Sequence, residues 1–143
     1  MIKGNMDDKA LIDTAVRALD MKKGENIRVI RVADLTIITD YFIIVEAGST
    51  THTRALADDV EYQLKRHLGI DPEKIEGNAA SGWMIIDYGS VLIHVFERKT
   101  REFYSLERLW QDGEYIDISN ILLKGPLKTI SDCNTAPSQD NIV

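Results

Sequence analysis

Two apolar runs, Gly82 to Tyr88 and Val91 to Phe96, are separated only by Gly89-Ser90, and this pair limits the possible folds more than any other stretch of the chain. Runs rich in β-branched and aromatic residues joined by a Gly-containing dipeptide predict an antiparallel hairpin. With side chains alternating across each strand, a two-residue loop assigns every side chain to a face. Met84, Ile86, Tyr88, Val91, Ile93 and Val95 share one face, while Trp83, Ile85, Asp87, Leu92, His94 and Phe96 share the other. The first face is core. The second carries Asp87 and His94 as diagonal neighbours, at a spacing of about 7 to 8 Å where long side chains still meet, and the expectation is a hydrogen-bonded dyad that orients the imidazole.

Elsewhere the periodicity is helical or extended. Ile12, Ala15, Val16 and Leu19 recur at helical spacing after Asn5, Asp7 and Asp8, a capping residue and acids suited to a helix start. Gly24 supplies a stop, so a helix is predicted over 6–22. Residues 26–32 alternate and predict a partly exposed strand, whereas the run Tyr41 to Val45 is apolar throughout and predicts a strand covered on both faces. Leu56, Val60, Leu64 and Leu68 predict a helix over 51–68, ended by Gly69. Residues 70–81, with Pro72 and Gly77, read as a connection, and 100–110 as a short helix with Phe103, Leu106 and Trp110 on one side. Beyond Gln111 the pattern fades. Ile116, Ile118 and Ile121 to Leu123 suit a short docked segment, but the chain from Ser131 onward is polar and predicts a disordered end. The fold class is α/β, a mixed sheet of about four strands flanked by helices, in one domain over 1–112 with a partly disordered extension over 113–143.

Composition narrows the function. A chain of 143 residues is the size of a single domain. Its apolar runs, such as Phe42 to Val45, fall short of the roughly 18 residues of a membrane span. The first ten residues hold no apolar secretory core, so a cytoplasmic protein is expected. Cys133 is the single cysteine, which excludes an intramolecular disulfide and a cysteine-based zinc cage. With 17 basic and 23 acidic residues the net charge is -6. Such a surface is repelled by phosphate backbones and favours a basic protein partner over nucleic acid.

One catalytic pattern needs weighing. Gly48-Ser49 followed by Asp59 and Glu61 has the spacing of a metal-dependent nucleotidyltransferase, in which a Gly-Ser turn holds phosphates and an acid-x-acid pair chelates metal ions. Acids two residues apart share one side of a strand but lie about 200° apart on a helix, and the apolar pattern carries a helix straight through this pair. No metal, cofactor or catalytic residue is therefore predicted. His52 and His67 make no ligand spacing with His94, and nothing beside His94 supplies a nucleophile motif. Trp83, Tyr104 and Trp110 are open to two readings, core aromatics or interface anchors. Tyr88 and Tyr104, beside Asp87, Arg101 and Glu102, have the polar tips and charged neighbours that interfaces use.

Three blocks in order carry a resemblance: Asp40-Tyr41-Phe42-Ile43-Ile44 with Gly48, Ser49 and His52; Gly82 to Gly89 with Ile93-His94-Val95-Phe96; and Arg101 to Trp110. Together, over about residues 6–112, they resemble the ribosomal silencing factor (RsfS/Iojap) family, with Ser90 departing from the Asp often found at that turn. The resemblance implies a nucleotidyltransferase-like fold without the catalytic acids. It implies a translation repressor that docks on a ribosomal protein of the L-fourteen family and blocks joining of the large subunit to the small one. By motif position it offers Trp83, Tyr88 and Tyr104 as contact residues, supported by Asp87, His94 and Arg101. The alternatives are an active nucleotidyltransferase, which would need Asp59 and Glu61 to converge, and a non-catalytic dimeric scaffold. Self-association of the free protein through the apolar hairpin is a further expectation.

Overall fold

A computed structural model describes residues 8–104 and 111–127, with side chains for 8–101 and 111–127. Helix α1 (Asp8–Met21) leads into strands β1 (Glu25–Arg31) and β2 (Tyr41–Ala47), then helix α2 (Thr50–Leu68). Strand β3 (Lys74–Asn78) and a 3-10 turn (Ala79–Ser81) precede the hairpin strands β4 (Trp83–Asp87) and β5 (Val91–Glu97). Helix α3 (Arg98–Tyr104), strand β6 (Glu114–Tyr115) and helix α4 (Ser119–Leu123) follow. The strands form one sheet in the order β3-β4-β5-β2-β1-β6, antiparallel throughout except for the parallel pair β2 and β5.

The hairpin has the predicted register. Met84 faces Val95 and Ile86 faces Ile93, and the Tyr88 amide donates to the Val91 carbonyl at 2.9 Å, which leaves Gly89-Ser90 as the two-residue loop. Helices α1 and α2 cover the apolar face, where Leu11, Val16, Leu19, Leu56, Val60 and Leu64 pack on Ile43, Val45, Ile86 and Ile93. Each such side chain contributes about 2 kcal/mol by leaving water. Strand β2 is buried from Phe42 to Ala47, as expected of a strand covered on both faces.

The helix ends follow local chemistry. Ser49 caps α2, its hydroxyl oxygen accepting from the His52 amide at 3.0 Å, and Gly69 closes it in the left-handed region. The end of α1 differs from expectation. The left-handed residue is Lys23, and Gly24 is required instead for close approach, because a β-carbon there would lie 2.6 Å from the Val45 side chain.

The remaining elements agree with expectation in part. Strand β1 is partly exposed, as expected, with Glu25, Asn26 and Arg28 exposed, while Ile30 and Val32 join Phe42, Ile44 and Phe96 in a second core on the sheet face opposite α1 and α2. The stretch 70–81 contains a strand rather than a plain connection, and with β6 the sheet has six strands instead of about four. Helix α3 begins at Arg98, before Thr100. Residues 114–127 dock on the domain: β6 pairs with β1, Leu127 is buried in the main core, and the Arg17 guanidinium donates to the Gly125 carbonyl at 3.1 Å. The expected cap at Asn5, the side chains of Phe103 and Tyr104, residues 105–110 with Trp110, and the polar stretch from Ser131 with Cys133 lie outside the described residues.

Gly77 in β3 has φ +76, and a β-carbon on it would sit 2.2 Å from the Trp83 carbonyl oxygen. Gly77→Ala should therefore destabilise the fold by about 2 kcal/mol or more, measured by urea unfolding. Glu76→Ala on the same exposed strand should leave the midpoint close to wild type.

Candidate functional site

The second face of the hairpin carries the polar groups singled out in the sequence. The indole of Trp83 stacks on Phe96 with ring centroids 4.9 Å apart, and its Nε1–H donates to His94 Nδ1 at 3.1 Å. Phe42, brought alongside by β2, meets the His94 ring edge-on at 4.9 Å. His94 is only 4% exposed. Since Nδ1 accepts, the ring proton is placed on Nε2, a buried atom with no hydrogen-bond partner among the described residues. Burial disfavours the imidazolium and pushes the His94 pKa down to about 4.

The expected Asp87–His94 dyad does not form. Asp87 Oδ1 accepts instead from the Gly89 amide at 2.7 Å, a local bond that braces the hairpin loop, while the indole takes the imidazole. Tyr88 lies on the opposite sheet face from Trp83, packed against the main core, so the two do not share a patch. The Tyr88 hydroxyl is buried without a partner among the described residues, and its pKa is raised by burial and by the charges of Glu61 and Asp71.

Arg101 is buried within an ion-pair cluster. The Glu46 carboxylate, itself buried at the end of β2, accepts from Arg98 Nε at 2.9 Å and from the Asn26 side-chain amide at 3.2 Å. Arg101 Nη1 sits 3.5 Å from Glu46 and donates to the Asn26 carbonyl at 2.7 Å. Arg98 also pairs with Glu25. The cluster pins the start of α3 to the ends of β1 and β2. Glu46 and Arg98 were not anticipated from sequence, although a carboxylate directly after the apolar run Phe42 to Val45 was a usable signal. Tyr104 ends α3 by its backbone.

The acids of the nucleotidyltransferase alternative diverge. Asp59 Oδ1 accepts from Gln63 along the helix at 3.3 Å, whereas Glu61 lies near enough to Tyr88 to raise its pKa. Among the described residues, no group of three or more His, Cys, Asp or Glu side chains is placed to hold a metal ion, and no helix is long and apolar enough to cross a membrane. His52 is a structural tie, its Nδ1 accepting from the Gly48 amide at 3.1 Å and its Nε2 lying 2.7 Å from the Lys22 carbonyl. A cleft of about 940 Å³ between α1 and α4 is lined by Ile12, Tyr41, Ile116 and Ile121 with the charged Lys9, Asp13, Asp117 and Lys124, of which Asp13 and Lys124 pair with each other.

These features define a small α/β domain with a braced hairpin, a helix clamped across the sheet end and an acid pair that does not converge. A family model described as "Ribosomal silencing factor during starvation" (RsfS) matches residues 5–141, and the chain belongs to that family. It is 32% identical over 113 residues to the ribosomal silencing factor RsfS of Bacillus subtilis, covering 79% of this chain and 95% of that protein. It is 43% identical over 104 residues to the mouse "Mitochondrial assembly of ribosomal large subunit protein 1", covering 69% of this chain and 44% of that one. A crystal structure of a protein from Chromobacterium violaceum superposes with a TM-score of 0.70 at 30% identity, covering 74% of this chain and 88% of that one.

The buried imidazole makes stability depend on pH. Between 6.5, the ordinary value, and about 4, the unfolded chain binds a proton at His94 that the folded one does not. The contribution is therefore complete above pH 6.5 and is lost as pH falls, by about 1.4 kcal/mol per unit. Urea unfolding between pH 7.5 and 4.5 should show this slope, and His94→Gln should flatten it. Equal slopes for the two proteins would mean that His94 titrates normally in the fold.

Proposed function

We propose that the protein represses translation by binding the large ribosomal subunit through a ribosomal protein of the L-fourteen family, and so excludes the small subunit sterically. The family match over residues 5–141 carries this reading. The net charge of -6 suits a basic ribosomal partner, and the printed name of the mouse relative refers to the large subunit. On this reading the protein acts in the cytoplasm, is not an enzyme and needs neither cofactor nor nucleic-acid contact. Residues 1–112 form its binding domain, 113–143 an extension, and the free protein self-associates through the hairpin.

Trp83, Tyr88 and Tyr104 are the proposed contacts, with Asp87, His94 and Arg101 in support. The support role agrees with what these side chains touch: His94 holds the Trp83 indole, Asp87 braces the turn that follows Tyr88, and Arg101 anchors α3. Trp83 and Tyr88, on opposite sheet faces, would meet different parts of the partner.

The test is co-sedimentation of the purified protein with isolated large and small subunits. The protein should pellet with large subunits only and should prevent the two from joining. Tyr104→Ala should weaken pelleting by about 2 kcal/mol, roughly thirtyfold, with a native melt, while Asp58→Ala on the exposed side of α2 should pellet as wild type. Pelleting with neither subunit would overturn the reading. A separate assay for metal-dependent turnover of nucleoside triphosphates should give none, and turnover abolished by Asp59→Ala would reinstate the enzyme alternative.

A further inference from the structure

The loop between β1 and β2 is closed by its own hydrogen bonds. The Val32 amide donates to the Asp40 carbonyl at 2.7 Å, and the Leu35 amide donates back to the Val32 carbonyl at 2.9 Å. Thr36 Oγ1 accepts from the Ile38 amide at 3.1 Å. The loop is also fixed to the hairpin turn, because the amides of Asp40 and Tyr41 both donate to the Ser90 carbonyl at 3.0 Å. Within this frame the usual order of burial is inverted. Thr39 is turned inward, its hydroxyl buried without a partner among the described residues, while Ile37 is fully exposed, Ile38 is 73% exposed and Leu35 is 44% exposed. Threonine inside and isoleucine outside opposes what folding alone favours, and adjoining exposed apolar side chains mark a contact surface. Holding them in a closed loop lowers the ordering cost of binding.

The surrounding charge identifies the occupant. This end of the sheet carries the carboxylates of Asp34, Asp40, Glu73, Asp87 and Glu114. Its cations Arg31 and Lys74 are already paired, with Asp34 and Glu76 respectively. An anionic membrane would be repelled. A second copy presenting the same end would set carboxylate against carboxylate. We propose that Leu35, Ile37 and Ile38 form an apolar knob that enters a pocket on a basic protein of the large ribosomal subunit, with the neighbouring carboxylates facing the cationic rim of that pocket. The inference rests on the ribosome-binding reading above and adds to it a contact surface outside the three sequence blocks that carry the resemblance.

The experiment compares wild type, Ile37→Ser/Ile38→Ser, Ile37→Leu/Ile38→Leu and Ile37→Arg by thermal melt, light scattering and co-sedimentation with purified large subunits. The double serine variant should melt as wild type and lose at least about tenfold in affinity, or about 1.4 kcal/mol. The leucine variant should retain binding. Ile37→Arg, at a fully exposed site, should bind more weakly than either isoleucine or leucine because it sets a cation against a basic partner. Wild type and both disruptive variants pelleting equally would overturn the knob and leave ribosome binding intact, whereas wild type failing to pellet would remove both. A change confined to self-association would assign the knob to a second copy and overturn the proposal. A low melt of the serine variant leaves the decision to Ile37→Arg, whose normal binding would overturn it.

Discussion

The parallel pairing of β2 with β5 is the constraint on which the remaining structure depends. Tyr41 to Ala47 lies in register with Val91 to Glu97, and β4 and β3 extend the sheet from one side of this pair as β1 and β6 do from the other. A parallel pair needs a long crossover, and here α2, β3 and β4 lie between the two strands in sequence. Strand β2 is covered on both faces, so its backbone groups depend on the ladder for partners. A slip of one residue would exchange the faces of every side chain. It would carry Glu46 into the apolar core beneath the helices and Ile43 and Val45 out of it.

Register therefore decides where a buried charge goes. On the second face Glu46 meets Arg98 and Arg101, and Glu25 meets Arg98 from the neighbouring strand, so two carboxylates face two guanidinium groups. Burying a carboxylate is costly unless its lone pairs are satisfied. Glu46 has Arg98, Arg101 and the Asn26 side chain around it. Removing an arginine would leave that buried charge short of partners, whereas an exposed pair such as Lys65 with Asp71 contributes little. The consequence for function is geometric: α3 is fixed at two points within its first turn, and the position of its far end follows.

How much of this was legible depended on whether a segment supplies its own pattern. The hairpin faces, α1 and α2 follow from periodicity, because each buries one continuous stripe or face. Strand β3 is exposed at every residue and β6 has only two residues. Both are strands because a neighbouring edge offers unpaired backbone, which no side-chain pattern of Lys74 to Asn78 announces. The missing Asp87–His94 dyad has a similar cause: a diagonal pair competes with nearer partners, and the Gly89 amide, two residues from Asp87, is in reach of any Asp at that place in a turn. The separation of Trp83 from Tyr88 was implicit in the same alternation that built the hairpin. Sequence motifs group residues by order, and a sheet divides them by parity.

The start of α2 shows how a phosphate-like motif can be turned to structure. A Gly-Ser turn at a helix N-terminus presents amide donors suited to an anion. Here the Gly48 amide donates to His52 Nδ1, the His52 amide to Ser49 Oγ, and the Thr53 amide and hydroxyl to the Ser49 carbonyl. His52 Nε2 meets the Lys22 carbonyl, which ties this turn to the end of α1. The amides of Gly48, His52 and Thr53 thus have intramolecular partners, and the acids that would complete a metal site diverge along the helix. The same Gly-Ser-x-x-His sequence that resembles a nucleotide cradle instead locks the crossover helix against its neighbour. That lock holds α2 over the β2–β5 pair.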